Sequence, residues 1–309
     1  MTPRASLSVV VTNYNYRNFV VEAVESALAQ TRPADRIIVV DDGSTDGSSD
    51  LLRQRYGEDA RVRLLFDQNC GQLAAFQRGV AAAEGDVVCF LDADDRWAPD
   101  YLQKIGALFD ARPDVDFVFS DIVLFGGEQG RIEFAEQSVD LGFTIVSTYM
   151  TAHWYGAPTS ALSLRTHWAR RTLALPEEMR STWRISADNC LVFGASILGA
   201  HKYYEPTGSV HYRVHGTNGW WGKQTPANKF LNRVRSLGLI QHYARSIGLD
   251  ERCVDLTKAE FLSKPRPTWE EAKRYARLVM KRRASWLKNA GRAAAILGRA
   301  WRSQPRSSG

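Results

Sequence analysis

Three short apolar runs near the start of the chain constrain its fold more than any other sequence feature. They lie at residues 9–11, 37–40 and 87–91. Nearly continuous apolar runs are typical of strands that are buried on both faces of a parallel sheet. Helix-like segments alternate with them, which indicates a parallel sheet covered by helices. The predicted strands are 7–12, 36–41, 62–66 and 86–91, and the predicted helices are 19–30, 48–56 and 72–83.

Each of these three runs is followed directly by polar side chains. Thr12 and Tyr14 follow the first run, Asp42 follows the second, and Asp92 and Asp94 follow the third. Ligands of open parallel sheets bind beyond the carboxyl ends of the strands, which is where these residues fall. We therefore expect the three strand ends to form one edge that carries the functional site.

The pair Asp92 and Asp94 has the chemistry of a divalent-cation site. Alternate carboxylates on an extended backbone point to opposite sides, so one can hold a cation while the other contacts a ribose or a metal-bound water. Oxygen ligands suit Mg²⁺ or Mn²⁺. The alternative is that Asp94 or Asp95 only caps the helix that begins near Pro99.

Asp42 has no comparable structural explanation. Ser44 and Asp46 are sufficient to cap the helix that follows the second strand. Carboxylates commonly accept hydrogen bonds from the base or ribose of a nucleotide. Asp42 is therefore predicted to contact a ligand.

From residue 117 onward the pattern is mixed. It predicts strands at 117–125, 159–164 and 209–214, a helix at 188–198, and a linker at the Pro-rich stretch 264–267. The strand at 209–214 ends in Arg213 and His215, so polar groups again follow a strand.

Residues 8–48 and 69–95 together resemble the nucleotide-binding half of the family 2 glycosyltransferases. The segments that carry the resemblance include VVDDGSTDGS and VVCFLDADD. It covers about residues 7–95 strongly and continues more loosely to about 218. It implies the GT-A type of α/β fold: a mostly parallel, Rossmann-like nucleotide-binding sheet continuous with an acceptor-binding region. In this chain a helical C-terminal extension would follow.

The same resemblance implies a nucleotide diphosphate sugar as donor, usually a UDP-sugar, together with a divalent cation (Mn²⁺ or Mg²⁺) and inverting transfer to an acceptor hydroxyl. Carried over residue by residue, the resemblance assigns the base to Thr12 and Tyr14, which hold it and stack on it, and to Asp42, which contacts it. It assigns a nucleotide contact to Gln72. It places Asp92 near the ribose and Asp94 on the metal.

Asp188 is predicted to be the catalytic base. The stretch SADN at 186–189 resembles the family's base site, although Ala187 stands where an acid often precedes the base. An inverting transfer needs one carboxylate to take the acceptor proton. The alternative is that Asp188 only caps the helix that follows.

The motif YRVHGTN at 212–218 resembles a family segment in which histidine completes the metal or diphosphate site. His215 is therefore predicted to be a metal ligand. Arg213 is predicted to neutralise phosphate charge through its planar guanidinium, with a structural ion pair as the alternative.

Two further features bear on substrate choice. Phe76 and Gln77 depart from the family's usual A-A-R-N sequence and are expected to pack the helix under the donor site. Trp154 and Trp183 are candidates for acceptor contact, and Trp220 and Trp221 are candidates for acceptor contact or for a flap that closes over the donor.

Positive charge is concentrated at the C-terminal end. Residues 264–309 include 13 Lys or Arg and two acidic residues, so the rest of the chain is more acidic than basic. Tryptophans and aliphatic residues recur among these charges at three- and four-residue spacings, which indicates basic amphipathic helix. Such a helix either docks on the catalytic body or lies on an anionic membrane. Nucleic acid is not expected as a partner because no nucleic-acid-binding module accompanies the tail.

The predicted organisation is a GT-A domain at 1–225, divided into a nucleotide-binding half (1–98) and an acceptor half (99–225), followed by a helical basic region at 226–309. Four cysteines without a C-x-x-C pair favour a reduced compartment. No secretory signal and no spanning apolar run is visible. The predicted location is cytoplasmic, with peripheral attachment to the cytoplasmic face of a membrane.

The predicted function is metal-dependent inverting glycosyl transfer from a UDP-sugar to a glycan or lipid-linked acceptor, in the assembly of a cell-surface polysaccharide or glycolipid. One rival is a nucleotidyltransferase, which would need a basic Gly-rich phosphate loop that TNYNYRN at 12–18 lacks. The other rival is a GT-A domain that has lost catalysis and acts as a membrane or partner scaffold.

Overall fold

The computed structural model describes residues 4–216, 218, 221–222 and 225–303. Thr217 of the predicted 212–218 motif and Trp220 of the predicted flap lie outside these residues. The strands are β1 (Leu7–Asn13), β2 (Arg36–Asp41), β3 (Val62–Phe66), β4 (Val87–Asp92), β5 (Arg96–Trp97), β6 (Phe117–Ser120), β7 (Ile122–Gly126), β8 (Gly130–Ile132), β9 (Val139–Gly142), β10 (Leu162–Arg165), β11 (Lys202–Glu205) and β12 (Val210–Val214).

Helices cover and extend these strands. They are α1 (Val20–Leu28), α2 (Ser48–Tyr56), α3 (Gln72–Ala82), α4 (Tyr101–Ala111), α5 (Ile145–Thr151), α6 (Thr166–Thr172), α7 (Met179–Thr182), α8 (Asp188–Leu198), α9 (Pro226–Ser246), α10 (Thr257–Ser263), α11 (Trp269–Val279) and α12 (Trp286–Ser303). Short 3-10 turns lie at Thr159–Ala161 and Glu251–Leu256.

The larger sheet has the strand order β3-β2-β1-β4-β10-β6-β11-β9. Strands β1 to β4 are all parallel, and in their register Thr12 lies beside Asp92 while Asn13 lies beside Asp41. Beyond β4 the sheet becomes mixed, because β10 runs antiparallel to both β4 and β6. The prediction of a GT-A type α/β fold with C-terminal helices is confirmed.

A smaller sheet in the order β5-β12-β7-β8 lies next to the functional edge. The strand predicted at 117–125 is wrong as one element, because β6 belongs to the larger sheet and β7 to the smaller. The chain changes sheets at Asp121, whose buried carboxylate lies 2.7 Å from the Arg131 guanidinium and accepts a hydrogen bond from the Gly208 N–H at 3.0 Å. The pattern of apolar residues in the sequence does not predict these contacts of Asp121.

Helix α3 packs unusually close to the parallel strands. A Cβ atom at Gly79 would lie 2.4 Å from Val10 Cγ1, so only glycine fits there. Phe76 is fully buried and contacts Phe90, with ring centroids 5.1 Å apart. The Gln77 amide donates to the Leu173 carbonyl at 2.9 Å. Both departures from the family sequence therefore pack and anchor α3.

Helix α9 belongs to the main core. Leu239, Ile240, Tyr243 and Ala244 join the hydrophobic cluster of the central sheet. The Tyr243 hydroxyl donates to the carbonyl of Thr172 at 2.6 Å. Helices α10 to α12 instead share a second cluster, which consists of Phe261, Ala272, Tyr275, Ala276, Val279, Ile296 and Ala300.

A group of buried polar side chains fastens this helical region to the body. We call it the buried junction, and it consists of Tyr155, Glu260, Lys264, Glu271 and Tyr275. Glu260 accepts hydrogen bonds from the N–H groups of Val146 and Ser147 at the start of α5 and from the Tyr275 hydroxyl.

Lys264 carries the opposite charge within the buried junction. Its ammonium group donates to the carbonyls of Leu141 and Phe143 and lies 3.3 Å from the Glu271 carboxylate. The tail thus docks on the body, as one of the two sequence hypotheses expected. The prediction that 264–267 is a plain linker is wrong at Lys264, which is fully buried.

Among the residues described, none of the helices combines the length and apolar character that a membrane span requires.

Candidate active site

The ends of β1 and β4 are joined by side-chain hydrogen bonds. Thr12 follows the register of its strand, and its hydroxyl donates to Asp92 Oδ1 at 3.0 Å. The Gln72 amide, at the first residue of α3, donates to the same oxygen at 3.2 Å. The Ser160 hydroxyl accepts the Asp92 N–H at 3.0 Å. Two separate segments therefore fix the Asp92 carboxylate, and a third fixes its backbone.

Asp42 organises the turn that leads into α3. Its carboxylate accepts hydrogen bonds from the N–H groups of Cys70 at 3.0 Å and Gly71 at 2.7 Å, and it lies 3.3 Å from the Arg78 guanidinium. Gly71 has φ near +90°, a backbone region that favours glycine. Asp42 is buried and holds the turn before α3, so it has a structural role. Its contact with a ligand stays a prediction.

The neighbouring Asp41 is held by hydrogen bonds within the protein. It accepts hydrogen bonds from the side chains of Asn13, Ser44 and Ser49. Tyr14 lies beyond the end of β1 and is 47% exposed, so its ring remains open to a ligand.

Asp92, Asp94 and Asp95 converge directly after β4. One oxygen from each of the three carboxylates lies within 4.8 Å of the other two. Burial, and then the charge of Asp94, raises the pKa of Asp92 to about 7. The same two causes raise the pKa of Asp95 well above its usual range. Together with Asp188 and His215 these carboxylates form what we call the acidic rim.

The smaller sheet brings His215 to the acidic rim. Strand β12 pairs with β5, which follows Asp95 by one residue, so the end of β12 returns to the same edge. His215 Nε2 lies 3.0 Å from Asp94 Oδ2. The Asn218 side chain accepts the His215 N–H and donates to the Arg213 carbonyl, which fixes this turn.

Arg213 is held by protein groups on several sides. Its Nε donates to the Asp94 carbonyl at 2.8 Å, and its guanidinium forms an ion pair with Glu22. Phe19 and Phe125 lie against the guanidinium, 4.7 and 4.3 Å from it to their ring centroids. These contacts agree with the structural ion pair, which the sequence analysis gave as the alternative to a phosphate contact.

Asp188 begins helix α8 and lies across the site from Asp92. Its Oδ1 accepts the N–H of Asn189 at 2.9 Å. Burial raises the pKa of Asp188 to about 6, and its charge in turn contributes to the raised pKa of Asp92. Ser186, two residues earlier, has φ near +61°, so the backbone that presents Asp188 is strained.

Gln72 connects the two sides of the site. While its amide nitrogen donates to Asp92, its Oε1 accepts the N–H of Ala187 at 2.9 Å. Gln72 was predicted only as a nucleotide contact. Its geometry adds a bridge between the Asp92 carboxylate and the loop that carries Asp188.

Sequence reasoning missed two tyrosines of this site. Burial, and then the charge of Asp94, raises the pKa of Tyr16, whose ring meets His215 edge to face with centroids 5.7 Å apart. Burial and the charges of Asp95, Asp94, Asp92 and Asp188 raise the pKa of Tyr212. Tyr212 was visible within the 212–218 motif, whereas Tyr16 carried no separate signal.

The predicted tryptophan contacts divide by burial. Trp183 is 2% exposed and belongs to the main core, so it is not placed to stack on an acceptor. Trp154 is partly buried against the same core. Trp221 packs on Tyr212, with ring centroids 5.6 Å apart, and donates to Glu128 at 2.8 Å.

The acidic rim fits a divalent cation. Asp95 is occupied by the Ser160 hydroxyl and the Arg213 N–H. Asp92 and Asp94 therefore remain as the oxygen donors, with the His215 imidazole beside Asp94. Carboxylate oxygens are the ligands that suit Mn²⁺ and Mg²⁺. Burial and the nearby charge of Asp94 raise the pKa of Asp92. A bound cation would lower this pKa again, because it would compensate the buried negative charges.

Comparison with known proteins identifies the family. The model of the family described as "Glycosyl transferase family 2" matches residues 8–172, more than half of the chain. The chain belongs to the family 2 glycosyltransferases. The matched segment contains Thr12, Asp42, Asp92 and Asp94, and it ends before Asp188 and His215.

Curated relatives of this family 2 glycosyltransferase support the assignment. The uncharacterized glycosyltransferase alr2836 of Nostoc sp. is 36% identical over 218 residues, which cover 69% of this chain and 66% of the relative. Glycosyltransferase GlyG of Streptococcus pneumoniae is 42% identical over 90 residues, which cover 29% of this chain and 30% of GlyG. The chain thus spans less than two thirds of the length of these relatives.

Solved structures share the fold at low sequence identity. S. aureus TarS 1-349 in complex with UDP-GlcNAc superposes with a TM-score of 0.57 at 14% identity, covering 97% of this chain and 93% of TarS 1-349. The mannosyltransferase PcManGT of Pyrobaculum calidifontis, in complex with GDP-Man and Mn²⁺, gives 0.53 at 19% identity, covering 98% and 77%. At these identities the likeness concerns the fold.

Proposed function

We propose that this family 2 glycosyltransferase is an inverting enzyme that moves a sugar from a nucleotide diphosphate sugar to a hydroxyl of a glycan or lipid-linked acceptor. One observation carries the proposal: Asp92, Asp94, His215 and Asp188, from distant parts of the sequence, meet at one edge of the sheet. UDP is the proposed nucleotide. The fold neighbour TarS is described with UDP-GlcNAc, and PcManGT is described with GDP-Man, so the nucleotide is the first property to test.

Asp94, His215 and Asp92 are the residues proposed to hold and orient a divalent cation, Mn²⁺ or Mg²⁺. A bound cation of this kind neutralises the charge that develops on a departing diphosphate. Asp94 lies in the turn between β4 and β5, and His215 follows β12, which pairs with β5. The packing of the smaller sheet therefore sets the 3.0 Å distance between Asp94 Oδ2 and His215 Nε2.

Asp188 is proposed to accept the proton of the acceptor hydroxyl. As that oxygen bonds to the anomeric carbon, the bond from carbon to the diphosphate oxygen breaks, and the diphosphate leaves with the electron pair. The proton passes to a carboxylate oxygen of Asp188. A pKa of about 6 suits this step, because the carboxylate is ionised at neutral pH yet more basic than an ordinary aspartate.

The remaining predicted residues are proposed to form the donor site. Tyr14 offers an exposed ring for stacking on the base. A carboxylate has about four acceptor positions, so Asp42 retains capacity for a base contact beside its three protein donors. Thr12 and Gln72 hold Asp92 toward the ribose. Arg213 is proposed to contribute positive potential to the phosphates while fixing the backbone at Asp94.

The catalytic unit is proposed to occupy residues 1–225, and the helical region 226–309 is attached to it through α9, which packs in the main core, and through the buried junction. The proposed setting is the assembly of a cell-surface polysaccharide or glycolipid at the cytoplasmic face of a membrane. This setting rests on analogy within the family.

Thermal shift with nucleotides tests the donor site. The chain is heated with UDP, GDP, dTDP or CMP, each with and without Mn²⁺. A ligand that binds only the folded state raises stability by about 2.7 kcal/mol at a hundred times its dissociation constant. We expect the largest rise for UDP with Mn²⁺. Asp94→Ala should abolish the metal-dependent part, whereas Asp50→Ala, which changes an exposed carboxylate on α2, should retain it.

The possible outcomes separate the alternatives. A larger shift with GDP than with UDP would overturn the proposed nucleotide and leave the fold and metal site in place. The absence of a shift with any nucleotide would favour a scaffold that has lost catalysis.

A further inference from the structure

Helix α12 has large apolar side chains that no other described part of the chain covers. On its inner side Ile296 and Ala300 are at most 1% exposed and pack in the second hydrophobic cluster. On another side Trp286, Leu287 and Trp301 are 69%, 75% and 71% exposed. Large apolar side chains exposed together usually mark a contact surface.

Helix geometry places these three exposed side chains on one face. Successive residues advance by about 100° around an α-helix. On that basis Trp286, Trp301 and Leu287 fall within an arc of about 100°, at both ends of the helix. We call this arc the outer face. Ile296 and Ala300 occupy the adjoining arc.

The third side of α12 is basic. By the same geometry Arg302, Lys288 and Arg292 lie on the remaining side of the helix, between Leu287 of the outer face and the buried Ile296. Lys288 and Arg302 are exposed. The turn before the helix adds Arg283, whose side chain is 93% exposed. Apolar and basic sides therefore adjoin along one exposed helix.

Within the outer face Leu297 is partly buried against the second hydrophobic cluster, and the other residues between the exposed large side chains are small. Ala290, Ala294 and Gly298 lie on or beside the same arc. The face is therefore a shallow strip with tryptophan near both ends. Tryptophan combines a large apolar ring with an N–H donor, which suits the boundary between lipid tails and headgroups.

We propose that the outer face of α12 binds the surface of an anionic lipid membrane. The indoles and Leu287 would enter the headgroup boundary, and the basic side would contact anionic headgroups. Charge selects this partner: the 264–309 segment is strongly basic, whereas the rest of the chain has more acidic than basic residues. Apolar area combined with attraction to anionic lipid is what holds an interfacial helix on a membrane.

This inference concerns a surface outside the acidic rim. It complements the proposed lipid-linked acceptor, yet its test measures lipid binding alone. A failed donor site and a failed membrane surface therefore give different results.

The purified full chain is centrifuged with vesicles of phosphatidylcholine alone and with vesicles that contain about one third phosphatidylglycerol. We expect binding to the second kind only, and weaker binding as salt rises from ~0.1 M to ~1 M because screening shortens the range of attraction. Absence of binding to the anionic vesicles at low salt would overturn the proposal.

Two sets of three serine substitutions locate the surface. Changing Trp286, Leu287 and Trp301 together should weaken vesicle binding about tenfold or more, because buried apolar area is lost. The matched control changes Phe230, Leu231 and Val234 on α9, which are 67%, 50% and 49% exposed. Both sets alter exposed side chains, so the melting temperature should stay unchanged.

The α9 control set also shows which result would contradict the proposal. If the α9 set abolishes binding and the α12 set does not, the membrane surface lies on α9 and the proposal is wrong.

The charge reversals Lys288→Glu and Arg302→Glu test the basic side. They should lower affinity for the anionic vesicles and flatten its salt dependence. Unchanged affinity in this variant would contradict the proposed orientation.

Sedimentation velocity without lipid tests the rival occupant, a second copy of the chain. Self-association that the α12 substitutions abolish would assign the outer face to a dimer and overturn the membrane proposal. A monomer at all concentrations, together with vesicle binding, supports it.

Discussion

The acidic rim and the buried junction both place several ionisable groups out of water, but they compensate negative charge to different degrees. In the junction Glu260 accepts two backbone N–H groups and the Tyr275 hydroxyl, and Glu271 faces the Lys264 ammonium group. In the rim, Asp92 and Asp94 repel each other, and the pKa of Asp92 rises to about 7.

The difference agrees with a structural role for the buried junction and with the chemical role proposed for the acidic rim. Buried charges are tolerated when a counter-charge and hydrogen bonds compensate the loss of water. The junction supplies the Lys264 ammonium group as a counter-charge to Glu271 and three hydrogen-bond donors to Glu260, although burial still raises the pKa of Glu260. The rim has no counter-charge of this kind among its own residues Asp92, Asp94, Asp95 and Asp188, which is consistent with the proposed cation site.

Asp188→Asn should produce the largest effect of these variants, a loss of the rate of sugar transfer. An unchanged rate would contradict the chemical role proposed for the acidic rim. Removing a general base typically lowers the rate by about 10²- to 10⁴-fold. Nucleotide binding should change much less than the rate, since Asp188 acts on Asp92 only through its charge and the described hydrogen bonds of its side chain go to Asn189. Sugar transfer under single-turnover conditions measures the rate. A rate within a few fold of the parent enzyme would remove Asp188 from the mechanism.

Lys264→Met tests the junction half of the comparison. It leaves Glu271 buried without its counter-charge, which should lower the free energy of unfolding by about 3–5 kcal/mol. Urea denaturation measures this quantity. The matched control Lys273→Met removes an exposed pair with Glu270 and should change stability by less than about 1 kcal/mol. Equal effects in the two variants would mean that the junction is not a stabilising contact.

The pH dependence of the rate of sugar transfer tests whether Asp188 of the acidic rim is the general base. The pKa of Asp188, about 6, lies above the ordinary aspartate value, so the carboxylate is protonated and inactive below that pH. The rate should therefore fall about tenfold for each pH unit below 6 and level off above it. Circular dichroism over the same range is the control for unfolding. A rate independent of pH between 5 and 7 would contradict the assignment.

Asp92→Asn should give the smallest effect, with a sign opposite to that of Lys264→Met. The raised pKa of Asp92 means that the folded state holds the proton more tightly, so stability falls as pH rises from 3.8 toward about 7. A neutral asparagine removes this penalty and keeps an acceptor for Thr12 and Gln72. Without metal at neutral pH, we expect a gain of roughly 1–2 kcal/mol. A loss would show that the rim is compensated like the junction.

Much of the catalytic sheet could be predicted from local sequence. The predicted strands 36–41 and 62–66 coincide with β2 and β3, and the predicted helix 188–198 coincides with α8. An apolar run that is buried on both faces leaves few alternative structures. The strand predicted at 117–125 failed because a single buried aspartate, Asp121, moves the chain from one sheet to another.

The functions of several residues depended on contacts that are distant in sequence. Gln72 reaches the N–H of Ala187, 115 positions away, and Lys264 reaches the carbonyl of Leu141, 123 positions away. No spacing rule links such positions, because their proximity results from the packing of whole helices and sheets. Lys264 consequently was predicted to lie in a linker and instead lies at the centre of the buried junction.

The sequence by itself determined the parallel α/β core, the family and the types of side chain at the strand ends, because apolar runs and their flanking residues act locally. Tertiary structure decided how those side chains combine. It placed His215 beside Asp94, buried the inner side of α12 and left Trp286 and Trp301 exposed. The physical reason is that burial and charge compensation depend on every neighbouring segment, and these neighbours come together only when the chain folds.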